Sequence, residues 1–110
     1  MNRVKICGLN NWFNLSTRVV NFPKIEICHM GNTNTWYLGP HKILSEIVYI
    51  KECDEKFIYY NIKPSLFPNI RMLYFDNSIK YKTLIEWKEY SVKNKEFKGI
   101  FFKFNFNEEE

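Results

Sequence analysis

Alanine is missing from this chain and glycine occurs only four times. Glycine is too sparse to build a phosphate-cradling loop, and neither a Ser-x-x-Lys nor a His-Glu-x-x-His pattern appears. No apolar run approaches the roughly 20 residues that span a bilayer, and the opening Met1-Asn-Arg-Val-Lys leads into no signal-peptide core. Cys7, Cys28 and Cys53 are odd in number and lack the close pairs of a zinc site or a disulfide framework. Together these absences predict an intracellular, cytoplasmic protein in a reducing compartment, with no cofactor and no metal. Histidine is limited to His29 and His41. Cys28 and His29 are neighbours, and neighbours on a strand point to opposite faces, so they cannot form a nucleophile pair. The chain is expected not to be an enzyme.

What is abundant is aromatic and aliphatic carbon. Hydrophobic residues make up 45% and aromatics 18% of 110 residues, enough to close one modest core, and a single domain over 1–110 is expected. Asn, Lys, Ile, Phe and Tyr are favoured, a bias that an AT-rich genome produces. The net charge of +4 is dispersed, and the densest lysines, between Lys80 and Lys98, are interleaved with Glu86, Glu89 and Glu96. That mixture is weak evidence for nucleic acid.

The apolar residues recur. In Phe67-Pro-Asn-Ile-Arg-Met-Leu-Tyr-Phe-Asp-Asn77, apolar side chains stand at Ile70, Leu73 and Phe75, with Asn77 closing the unit. The same offsets fit Val4, Cys7, Leu9 and Asn11; Ile25, Cys28, Met30 and Asn32; Ile47, Ile50, Glu52 and Asp54; and Phe101, Phe104, Phe106 and Glu108. The units begin at Val4, Ile25, Ile47, Ile70 and Phe101, nearly evenly spaced until a longer last gap. Fourteen of the fifteen apolar positions are filled, where a 45% hydrophobic chain would fill fewer than half by chance, and a period in the twenties marks a repeat architecture. The flaw is Glu52: either it pairs with a lysine or the register shifts locally.

With Ile70-x-x-Leu73-x-Phe75 as its best instance, the chain resembles the leucine-rich-repeat family. Its polar residues, Asn11, Asn32, Asp54 and Asn77, fall one place early, which favours turn positions over an asparagine ladder. The resemblance implies an α/β fold: a small solenoid of about five parallel strands in a curved sheet, near 4–10, 25–31, 47–53, 70–76 and 101–107, with irregular convex segments. Inward positions would be Cys7, Leu9, Cys28, Met30, Ile50, Leu73, Phe75, Phe104 and Phe106. Cys7 and Cys28 fall in register; a disulfide between them is conceivable, and two small buried thiols explain them better.

Between the strands, Trp12, Phe13, Trp36, Tyr37 and Leu38 are expected to pack beneath the sheet, and Phe57-Ile-Tyr-Tyr60 to cap the core. Thr83 and Glu86 have capping-box spacing, and Leu84, Ile85, Trp87 and Val92 follow at helical spacing, predicting one helix near 81–94 that Gly99 stops.

Leucine-rich-repeat proteins commonly bind through the sheet face, and the outward positions here are Ile27, His29, Tyr49, Lys51, Cys53, Met72, Tyr74 and Asp76. Aromatics, a methionine and few charges suit a protein contact. The expectation is a non-enzymatic protein-interaction module that forms a homodimer, since a first strand beginning near Val4 leaves no terminal cap. The alternative is a small basic nucleic-acid-binding protein. Neither reading involves a membrane.

Overall fold

The computed structural model describes residues 4–7, 23–28 and 42–102, the first of these as backbone only. Five short strands are hydrogen-bonded side by side in chain order: β1 (Val4–Cys7), β2 (Lys24–Cys28), β3 (Ile47–Lys51), β4 (Met72–Phe75) and β5 (Gly99–Phe101). Each pairs with the next in parallel. β-branched and aromatic residues dominate β2 to β4, as a pleated and covered surface favours. Parallel neighbours need crossovers, and among the described residues two of these carry helices. Helix α1 (Glu55–Asn61) and a 3-10 turn (Pro64–Leu66) join β3 to β4. A second 3-10 turn (Tyr81–Leu84) and α2 (Ile85–Lys93) join β4 to β5.

The core lies between the helices and one face of the sheet. Ile25, Ile27, Val48, Ile50, Leu73 and Phe75 from β2 to β4 meet Phe57 and Ile58 of α1 and Leu84 and Trp87 of the second crossover in one buried cluster. Asp54 starts α1 by accepting the Lys56 N–H at 2.8 Å, an N-cap that satisfies one of the first-turn amides. At the far end of α1 the Ile62 N–H returns to the Ile58 carbonyl. The Ile62 carbonyl accepts from Trp87 Nε1 at 2.8 Å. That bond pins α2 to the end of α1, with the Trp87 ring set between Phe67 and Phe97 at 6.2 and 5.5 Å. The Phe57 to Tyr60 segment therefore caps the core as expected, through Phe57 and Ile58, while Tyr59 and Tyr60 turn to solvent.

Register departs from the expected repeat. Val4 pairs with Ile25, Ile25 with Val48, Val48 with Leu73 and Leu73 with Ile100, so the spacing between strands widens at every crossover. What results is a small α/β unit with a parallel sheet and, among the described residues, two helices, and its spacing is not that of an evenly repeating solenoid. Four strands, β2 to β5, have described side chains, with β1 added at the edge through its backbone. The strand expected at 101–107 begins earlier, at Gly99, because Phe97, Ile100 and Phe102 take the places of Ile70, Leu73 and Phe75.

The same slip explains Glu52. The residue facing the core beside Val48 is Ile50, and Glu52 lies beyond the strand, exposed, with φ of 54°. No buried carboxylate arises there. In β2 the inward residues are Ile25 and Ile27, not Cys28, which is half-buried and disulfide-bonded where a buried thiol was expected. Cys28 stands opposite Cys7 in the ladder. Ile50, Leu73 and Phe75 hold their expected core places. Leu9, Met30, Phe104, Phe106, Trp12, Phe13, Trp36, Tyr37 and Leu38 lie outside the described residues.

The expected helix at 81–94 is a 3-10 turn followed by α2. No side chain caps its start, so the Thr83 and Glu86 capping box does not form. Leu84 and Trp87 face inward, whereas Ile85 and Val92 are exposed. Helix α2 ends at Lys93, with the Asn94 N–H and Nδ2 both donating to the Tyr90 carbonyl. Gly99 does not stop the helix; it opens β5 with φ of 131°, a conformation that side chains strain. Asn77 is exposed and its Nδ2 reaches only Asp76 Oδ1, at 3.5 Å, which places it in a turn.

Candidate protein-binding face

Alternation along each strand puts every second residue on the face away from the helices. Glu26, Tyr49, Tyr74 and Phe101 are register partners on that outer face, one from each of β2 to β5. Three of them form a continuous aromatic row: Tyr49 stacks on Tyr74 with centroids 4.9 Å apart, and Tyr74 on Phe101 at 5.0 Å. Such pairs add about 0.5–1.5 kcal/mol each beyond their burial. The row runs from inside to outside. Glu26 and Tyr49 are 2% and 1% exposed, Tyr74 is half-buried and Phe101 is 39% exposed.

The surroundings sharpen at the β4–β5 end. Tyr74 donates its hydroxyl to Met72 Sδ at 3.3 Å, aligning two half-buried side chains on the same face of one strand. Phe102, just past β5, is also 39% exposed but belongs to the inner side, where it stacks on Phe75 at 5.9 Å. Asp76 is tied into the framework, for its Oδ2 accepts the Glu52 N–H at 2.9 Å and steadies the left-handed bend that ends β3. Lys51 is half-buried at the end of the same strand.

Tyr49, Lys51, Met72, Tyr74 and Asp76, taken as outward from sequence, are thus on or beside this face. Two others are not. Ile27 is wholly buried against the helices, because Ile25 takes the ladder place that the repeat template gave to Cys28 and the alternation in β2 is reversed. Cys53 has left the strand; it packs half-buried against the core, and its Sγ lies 3.6 Å from the Ile27 carbonyl. His29 lies outside the described residues. Sequence reasoning missed Glu26 and Phe101 on this face. Starting the last unit at Phe97 in place of Phe101 would have put Phe101 outward and Phe102 beside Phe75.

Among the described residues, no three His, Cys, Asp or Glu side chains gather in a way that could hold a metal ion. None of the described helices is long and apolar enough to cross a membrane.

A family model described as "Family of unknown function (DUF5845)" matches residues 25–102, the span from β2 to just beyond β5. No leucine-rich-repeat family is detected, which overturns that resemblance. The offsets that suggested it were out of register: Ile25, Val48 and Ile100 stand in the ladder with Leu73, not Cys28, Ile50 and Phe104. No curated protein and no solved structure matches the chain.

Proposed function

The chain belongs to the DUF5845 family, a membership that assigns no activity, and from that premise we propose that it is a non-enzymatic protein-interaction module. Binding is through the outer face of the sheet at its β4–β5 end, and the partner is a second copy of the chain. The observation that supports this reading is the aromatic row, which starts buried at Tyr49 and ends at the exposed ring of Phe101. Tyr, Phe and Met in a patch with few charges are the composition of interface centres. A row anchored at one end is held stiff, so little side-chain entropy is lost when its open end is covered. A two-fold contact lets one patch serve both subunits.

Light scattering over a range of micromolar concentrations tests it. The mass should rise toward twice the 13.4 kDa of the chain. A mass that stays at the single-chain value at every concentration would contradict self-association.

A further inference from the structure

On the helical side of the molecule, the first turns of the two crossovers enclose a groove of about 550 Å³. It is lined by Lys56, Tyr59 and Tyr60 of α1 and by Lys80, Lys82 and Thr83 of the turn leading into α2. Three ammonium groups meet one carboxylate there, and that carboxylate is occupied: Glu55 Oε1 accepts the Lys80 N–H at 2.9 Å. Aromatic rings stand among the lysines. Tyr59 and Tyr60 meet edge to face at 4.9 Å and are 45% and 59% exposed, and Tyr81, the next residue after Lys80 and outside the lining itself, is 67% exposed at the groove's flank. Lys63 lies over the Tyr59 ring at 4.7 Å and Lys88 over the Tyr81 ring at 5.6 Å, so cations already sit on two of these faces.

The interleaved glutamates that argue against nucleic acid along the sequence fall elsewhere in space. Glu86 pairs with Lys63 at 3.5 Å. Glu86 and Glu89 line a different cleft, together with Pro64, Tyr90 and Lys93. Folding thus puts Lys80 and Lys82 in the groove and leaves Glu86 and Glu89 outside it, in the cleft that Lys93 also lines.

We propose that this groove binds a single-stranded nucleic acid, with Lys56, Lys80 and Lys82 neutralising consecutive phosphates while Tyr60 and Tyr81 stack bases. The inference is independent of the sheet-face reading, since the two surfaces share no residue. Lysines in a cleft track the backbone, and exposed tyrosines accept any base on their π-faces, so the occupant is a strand of no fixed sequence. A duplex has its bases stacked on one another and offers these rings nothing. A free nucleotide has the same chemistry but engages one phosphate, not several.

The test is fluorescence anisotropy of a labelled oligothymidylate titrated with the full chain at several salt concentrations. Wild type should bind, with log affinity falling against log salt at a slope near −2, about 0.7 for each of three phosphates. The double variant Lys80→Ala/Lys82→Ala should lose at least tenfold in affinity, and its slope should flatten to about −0.7. Tyr81→Ala should weaken binding about tenfold at unchanged slope, and Tyr81→Phe should restore it. Lys93→Ala/Lys95→Ala removes the same charge outside the groove and should change affinity less than about twofold. Circular dichroism of each variant separates loss of binding from loss of fold. Absence of wild-type binding at low salt, an equal loss in the Lys93/Lys95 control, or indifference to Tyr81→Ala would each overturn the proposal. So would equal affinity for thymidine monophosphate or for duplex DNA.

Discussion

The two faces of the sheet are built from alternate residues of the same strands and have opposite characters. On the inner face Ile25, Ile27, Val48, Ile50, Leu73 and Phe75 are sealed by the helices to 1% exposure or less. On the outer face the register row passes from buried Glu26 and Tyr49 to half-buried Tyr74 and exposed Phe101. The inner set is mostly aliphatic and close-packed, so each side chain is held by its neighbours on all sides. The outer set relies on ring stacking and leaves one end open. A single step along β4 thus separates a side chain that maintains the fold from one available to a partner.

Substitutions can break or sharpen this contrast. The largest loss is expected for Trp87→Ala, which empties the space between Phe67 and Phe97 and leaves the Ile62 carbonyl without its donor. About 3–5 kcal/mol should disappear from the unfolding free energy measured by urea titration. Leu73→Ala should cost about 2–5 kcal/mol in the same assay. Tyr74→Ala, its neighbour on the outer face, removes two stacked contacts and should cost about 1–2 kcal/mol. Equal losses at positions 73 and 74 would erase the distinction between the faces.

Ser45 is a defect on the inner side. It is fully buried, and among the described residues its Oγ has no hydrogen-bond partner. Since Val48 pairs with Leu73, Ser45 occupies the place in its unit that Ile70 occupies in the next. Ser45→Ala should therefore be neutral or should stabilise by about 1 kcal/mol, read as a higher urea midpoint at unchanged slope. The smallest effect is expected for Glu52→Gly, which relieves a left-handed side-chain conformation while loosening the unfolded chain; a gain of about 0.5 kcal/mol should remain.

Much of this architecture was legible from residue pattern, and the failures have a common cause. The Ile70-x-x-Leu73-x-Phe75 unit was placed correctly because its inner residues are large and its outer ones distinct. In Ile25-Glu-Ile-Cys28 an apolar residue can be read on either face, and a nearly constant spacing chose the wrong one. In Ile47-Val-Tyr-Ile50 the inward face came out right but the ladder place did not, since Val48 and not Ile50 stands beside Leu73. The crossovers lengthen at each step, which a template of fixed length cannot follow. Cys53 read as a strand residue because nothing in the sequence announces that Glu52 turns left-handed. The groove between the two crossovers was hidden for a different reason. Lys56 and Lys82 are far apart in the chain, and only the return of the second crossover brings them to one cleft.

If fold and association reside on opposite faces, Phe101→Glu should separate them when light scattering is run alongside urea unfolding. The mass should fall from twice the chain value to 13.4 kDa, while unfolding free energy extrapolated to the isolated chain changes by less than about 1 kcal/mol. A variant that keeps the dimeric mass, or one that loses its fold along with it, would contradict that separation.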